Sequence, residues 1–319
     1  MSAVLEVSGL NLVLDANARR LHVVRDVTLD LRQAEVLGLI GESGSGKTMT
    51  GLSLLRLEPE QSDITATTLR LGETDLLVAS QSALRALRGS KIAMIFQDPV
   101  GAFNPAKRIG WHARQVLRQR NITAWRDKTH DLLAEVDITD TDRVLDAYPH
   151  QLSGGMLQRV LIALVLAAEP QVIIADEPTT NLDNIVERQI LRLFRRLKHS
   201  HGAAFIFITH DMTVAAALSD RIAVMYAGEI VEIGPTRDIF DVPKHPYTIA
   251  LIRTAQALQA RAGRLPEIAG ELPSLARHPT GCAFASRCPH RMAACDTTRI
   301  AMTQTDPQRQ VRCLLHAPA

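Results

Sequence analysis

The stretch GESGSGKT, Gly41 to Thr48, fits the pattern G-x-x-x-x-G-K-S/T between a short apolar run (Val36 to Ile40) and a helical pattern from Met49. A strand, a glycine-rich loop and a helix start in this order make a phosphate cradle. Gly41, Ser43, Gly44 and Gly46 would turn backbone N–H groups toward phosphate oxygens, and the helix N-terminus adds partial positive charge. Lys47 would lie against the β- and γ-phosphates, and Thr48 would offer its hydroxyl to Mg²⁺. The plain alternative is a chance glycine-rich turn, but every fixed position matches in the right context.

Further groups suit the same chemistry. In QVIIADEP an apolar run, Val172 to Ala175, delivers Asp176 to a strand end, as a candidate Mg²⁺ partner. Glu177 follows, placed to orient and deprotonate an attacking water. Alone, such adjacent acids are more often solvated loop charges; downstream of an intact cradle they read as catalytic. AAFIFITHDM ends an apolar run at Thr209 and puts His210 at the edge, within reach of a γ-phosphate. KIAMIFQDP ends one at Phe96 and puts Gln97 there, where an amide could contact both metal and water.

A different chemistry is gathered in the tail. The chain has four cysteines, Cys282, Cys288, Cys295 and Cys313, and none before residue 282. The spacing x5, x6, x17 contains no close C-x2–4-C pair of the kind structural zinc sites usually show. Four thiols and a Cys288-Pro289 step suit an iron–sulfur cluster better, with zinc or an unmetallated tail as the alternatives. His290 and His316 are expected to be surface residues. The tail has little apolar periodicity, so a metal would explain why it folds.

The elements that must position these groups follow from patterning. Apolar strands separated by helical segments imply a mostly parallel sheet with helices on both faces. The 319 residues allow a large domain plus an extension. With 46% hydrophobic and 22% charged residues and a net charge of +2, the composition is that of a soluble protein and names no nucleic-acid partner. The longest apolar run, Val160 to Ala168, is nine residues, about half of the ~20 needed to cross a bilayer. The start lacks the pattern of a signal peptide, so the chain is expected in the cytosol, where disulfides are disfavoured.

QLSGGMLQRVLIALVLAAEP discriminates further. Ser153 is placed to cap a helix opening with Gly154 and Gly155, a second anion site that could serve a neighbouring subunit. With this motif the sequence resembles the ATP-binding subunits of ABC transporters: Walker A (Gly41 to Thr48), Q-loop Gln97, signature Leu152 to Met156, Walker B ending at Asp176, then Glu177, a D-loop with Asn181 and Asp183, and switch His210. VGAFNPAKRIG, YPHQLSGGM, VMYAGEIVE, KHPYTIALI and the cysteine tail are similar to the dipeptide/oligopeptide importer ATPases over essentially the whole chain.

The resemblance implies an α/β P-loop NTPase fold with an antiparallel N-terminal β subdomain and a helical subdomain at about residues 98–165. The ATPase domain would span 1–234, and an importer-type extension with a four-cysteine site 235–319. Asp98 to Gln151 would meet the membrane subunits. Two ATP molecules would be sandwiched between two subunits, with Ser153, Gly154, Gly155 and Gln158 acting on the partner's nucleotide. Mg²⁺ would be held through Thr48, Gln97 and Asp176. Some members of the subgroup hold a 4Fe–4S cluster on the matching cysteines. Expected partners are two permease subunits, a second ATPase subunit (a heterodimer rather than a homodimer) and, indirectly, an extracytoplasmic solute-binding protein. The expected location is the cytoplasmic face of the inner membrane. The alternative is an ABC ATPase of a soluble complex, such as a carbon–phosphorus bond-cleaving machine.

Two positions depart from the family. Relatives commonly carry Ala where Asn181 stands, a change given no consequence. The family also stacks an aromatic residue on adenine before its second strand, whereas no Phe, Tyr or Trp precedes Phe96, leaving Leu14, His22 or an arginine. A base–aromatic stack contributes about 1–3 kcal/mol. Nucleotide binding is therefore expected to be weaker or less base-selective than in an aromatic-bearing relative. Equal ATP affinity and equal ATP-over-GTP preference in side-by-side titrations would contradict this.

Overall fold

The computed structural model describes residues 3–16, 19–180, 182–200, 202–259 and 268–317. Asn181 lies outside them. The chain divides into two compact units, Met1–Ser80 with Ile206–Ala319, and Gln81–Phe205.

The first unit contains the antiparallel N-terminal sheet. Two 14-residue strands, Ala3–Ala16 and Arg19–Arg32, pair in antiparallel register from Ala3↔Arg32 to Ala16↔Arg19. Ser62–Thr65 and Thr68–Leu71 pair with the first of them. Leu5, Leu10, Leu12, Val24, Val27 and Leu31 are fully buried along this pair.

The unit's second sheet is built around Val36–Ile40, buried at every position, as a continuous apolar run requires when both faces are covered. Arg221–Tyr226 runs parallel to it, and Glu229–Pro235 returns antiparallel to Arg221–Tyr226. The tail then extends this sheet. Arg309–Val311 pairs antiparallel with Glu229–Pro235, and Thr303–Asp306 pairs with Arg309–Val311. The parallel pairing expected from the sequence is extended here by antiparallel strands, Glu229–Pro235 and the two strands of the tail.

The tail is also held by contacts that involve no metal. Arg309, 3% exposed, donates from Nε to Glu232 Oε1 at 3.1 Å, and the Glu232 side chain is at 0%. The same carboxylate accepts from the backbone of Lys244 at 3.0 Å and of His245 at 2.9 Å. Arg312 donates to the carbonyls of Ile230 and Ile300. Breaking one partner of such a buried pair strands the other charge, at a cost of about 3–5 kcal/mol. Phe284, Tyr226 and Tyr247 form a buried aromatic group with centroids 4.6–5.4 Å apart. The tail is thereby part of the first unit's core.

The second unit pairs Ile92–Ile95 in parallel with Val172–Asp176. The first of these strands ends one residue earlier than the sequence suggests, and Phe96 is 39% exposed. Its helices are amphipathic. In Ile109–Gln119 the residues Ile109, Ala113 and Leu117 are each at 0%, four apart. In Asn184–Ser200 the residues Ile190, Leu193, Phe194 and Leu197 make the i, i+3, i+4, i+7 stripe that packs inward. Gly154–Leu166 is buried along most of its length, including Arg159. That guanidinium donates to Val136 O at 2.6 Å, Asp137 Oδ2 at 3.1 Å and Gln189 Oε1 at 2.9 Å. Arg196 joins Asp137 from a second helix at 2.9 Å. Among the described residues no helix is long and apolar enough to cross a membrane.

Candidate functional site: a glycine-rich loop, an oriented carboxylate and a four-thiol cavity

In the first unit the loop Gly41 to Gly46 leaves the buried strand Val36–Ile40 and enters the helix Lys47–Leu54. Gly46 caps that helix at φ 101°, and a Cβ there would stand 2.6 Å from Val23 O. Only glycine satisfies both conditions. Lys47 is 5% exposed and curls back over the loop, donating from Nζ to the Gly41 and Glu42 carbonyls at 2.9 Å each. Ser43, Gly44 and Thr48 face solvent. His210 is exposed beyond the strand Ala204–Thr209, and Asp211 caps the helix Met212–Leu218 through Thr213 and Val214 N–H.

In the second unit, Asp176 is buried at the end of Val172–Asp176. Glu177, the next residue, has a left-handed backbone at φ 43°. A non-glycine residue in this region carries strain, of the sort that gathers at active sites. Its Oε2 accepts from Thr180 Oγ1 at 2.8 Å and from Gln97 Nε2 at 3.2 Å. The structure therefore brings Gln97 and Glu177 together, and the Gln97 amide holds the carboxylate. Two donors on one oxygen hold the carboxylate's orientation.

Ser153 caps the helix Gly154–Leu166 as expected, its Oγ accepting from Met156 N–H at 3.3 Å. Ser153 and Gly154 are exposed, and a Cβ on Gly155 would stand 2.5 Å from Val186 Cγ1. Gln158 differs from these: it is 1% exposed, inside the unit, and its Nε2 has no hydrogen-bond partner among the described residues. Expected beside a partner's nucleotide, it is an interior residue here. Asp183 accepts from Ile185 and Val186 N–H at 3.0 Å each, capping the helix Asn184–Ser200.

Cys282, Cys288, Cys295 and Cys313 line one small cavity in the first unit, with His245 and Phe284 in its wall. All four are free thiols. Burial pushes the Cys282 thiol up to about 11, and the neighbouring thiols add to that rise. Among the described residues no group of three or more His, Cys, Asp or Glu is arranged to hold a metal ion. The expected iron–sulfur ligand set is therefore present as neighbours around a cavity, without the arrangement of a metal centre. One buried atom does call for a partner. His245 Nδ1 accepts from Tyr247 N–H at 3.0 Å, so a neutral ring carries its proton on Nε2, and Nε2 has no partner in the cavity wall. His290 is exposed, and His316 is half-buried against the Lys244 carbonyl.

At the expected adenine position, His22 Nε2 meets Asn11 Oδ1 at 3.1 Å, and its backbone N–H donates to Leu275 O at 3.1 Å. Leu14 is half-buried in the strand.

The ABC transporter family model matches residues 24–180, and the model described as the oligopeptide/dipeptide transporter C-terminal region matches residues 231–295. The probable D,D-dipeptide transport ATP-binding protein DdpD of Escherichia coli is 41% identical over 315 residues, covering 97% of this chain and 96% of its own length. The chain belongs to the ABC transporter family. The dipeptide transport ATP-binding protein DppD of Bacillus subtilis is 40% identical over 319 residues, covering 99% of this chain and 95% of its own. The fold agrees: the dimeric cassette MJ0796 has a TM-score of 0.62 at 24% identity, covering 73% of this chain and 99% of that one. This ABC protein has the α/β cassette fold that its motifs imply.

The buried His245 sets a pH dependence. Burial pushes its imidazole down to about 3, with a smaller push from His316. Between about 6.5 and 3 the unfolded chain's imidazole takes up a proton that the folded one refuses. Its contribution to stability is thus complete above 6.5 and is lost as pH falls, by at most about 1.4 kcal/mol per pH unit. Urea midpoints at pH 7, 6 and 5 should fall more steeply for the parent than for His245→Gln. Parallel slopes would contradict the assignment.

Proposed function

We propose that this ABC ATPase powers import of a peptide or peptide-like solute. The observation that carries the reading is the joint match to the ABC domain and to the oligopeptide/dipeptide C-terminal region in one chain. The soluble carbon–phosphorus alternative has no comparable observation behind it. On this reading the chain works as a nucleotide-sandwich dimer with a second, similar ATPase subunit. It acts on two permease subunits at the cytoplasmic face of the membrane, fed indirectly by a solute-binding protein.

The residue roles follow the chemistry of each group. Gly41, Ser43, Gly44, Gly46 and Lys47 hold the phosphates, while Thr48, Asp176 and Gln97 serve Mg²⁺, which supplies charge neutralisation when bound. His210 contacts the γ-phosphate, and Ser153, Gly154 and Gly155 serve the partner's nucleotide, with Asp183 in the D-loop between them. Glu177 is the general base. Its support is the strained backbone and the two donors that orient its carboxylate. Glu177→Gln should retain ATP binding while turnover falls by about 10²–10⁴-fold, the range for loss of a general base. Turnover within a few-fold of the parent would reject the role.

We further propose that the four-thiol cavity takes a 4Fe–4S cluster rather than zinc. Its support is that all four cysteines line one cavity, beside a buried His245 Nε2 that has no hydrogen-bond partner among the described residues. Anaerobically purified protein should contain iron and acid-labile sulfide in equal amounts, lost together in Cys288→Ser. Stoichiometric zinc, or neither metal, would reject it.

A further inference from the structure

Glu42 is an unspecified position of the phosphate loop, and its carboxylate is a liability there. A carboxylate beside the groups that receive a triphosphate repels the ligand unless it is neutralised in place. Arg287, from the C-terminal region, is placed to do so. Its Nη1 donates to Glu42 Oε2 at 2.9 Å and its Nη2 to Glu42 Oε1 at 3.1 Å, a two-pronged pair with the arginine side chain 5% exposed. The guanidinium is itself fixed: Nε donates to Ala269 O at 2.9 Å, Nη2 to Ile268 O at 2.7 Å and Nη1 to Tyr226 Oη at 3.3 Å. It also lies over the Tyr226 and Phe284 rings at 5.8 and 5.9 Å. A second contact from the same region reaches the same residue, because Glu42 N–H donates to Tyr247 Oη at 2.9 Å. The loop's second residue is thus held at backbone and side chain by groups outside the phosphate-binding motif.

We propose that Arg287 is a positioning residue for ATP: it neutralises Glu42 and fixes the phosphate loop in its binding shape. The proposal rests on reading Gly41 to Thr48 as the ATP phosphate site. It makes the C-terminal region part of the nucleotide site's support, through a planar fork that a lysine cannot reproduce.

The test is ATP titration of the full-length parent and its variants, with thermal unfolding followed in parallel. Arg287→Ala should weaken ATP binding by about tenfold, since it leaves the Glu42 charge exposed to the phosphates. Adding Glu42→Gln to it should restore affinity to within about threefold of the parent, because the charge is then gone. A merely structural role predicts no such rescue. If Arg287→Ala is not recovered folded, Arg287→Lys supplies the comparison, with an intermediate affinity that Glu42→Gln again restores. Parent-like affinity in the Arg287 variant, or a double variant as weak as the single, would overturn the inference. Lys47→Ala separates the two levels. If it loses ATP binding while Arg287 variants do not, the inference alone fails. If it binds ATP normally, the phosphate-site reading fails with it.

Discussion

The first unit is held together at a carboxylate with no exposure. Glu232 sits in the strand Glu229–Pro235, and a charge there is tolerable only if every lone pair is answered. Arg309 answers from the tail, and the N–H groups of Lys244 and His245 answer from the entry to the helix Pro246–Gln259. One buried group therefore ties three stretches of chain, distant in sequence, into a single core. Tyr247, two residues beyond His245, then reaches the phosphate loop, and Phe284 packs against both Tyr226 and Tyr247. The cysteine cavity and the phosphate loop are neighbours of that same core. The C-terminal region is thus packed into the first unit rather than standing as an appendage with its own separate fold.

The second unit follows a different logic. Its two parallel strands are apolar throughout and end where chemistry begins, with Asp176 buried and Glu177 turned into a left-handed conformation. Strain there is offset by Thr180 and Gln97, which hold one carboxylate oxygen. The helices around these strands are locked by Arg159, which spends its guanidinium on a helix end and on Asp137 and Gln189.

Much of this was legible in the residues themselves. GESGSGKT, LSGGM and ADEP constrain backbone and charge so tightly that their spacing alone identifies strand ends and helix starts, and Ser153 caps its helix as its type requires. What stayed hidden depends on contacts between distant residues. Glu42 is a free position in its motif, and nothing in sequence links it to Arg287, 245 residues away. Arg309 reads as a surface arginine until strand pairing buries it against Glu232. Gln158 reads as part of the signature, yet helix periodicity turns it inward. The tail's strands are too short and polar to show periodicity, so their edge pairing and the buried ion pair were not visible in the sequence.

An ATPase that drives a membrane importer should be found bound to its membrane subunits. Affinity purification from detergent-solubilised membranes under anaerobic conditions, with mass spectrometry of the co-purifying chains, is the direct measurement. Two multi-spanning subunits should be recovered together with a second ATPase. Recovery from the soluble fraction with a multi-subunit enzyme and no membrane chain would contradict it.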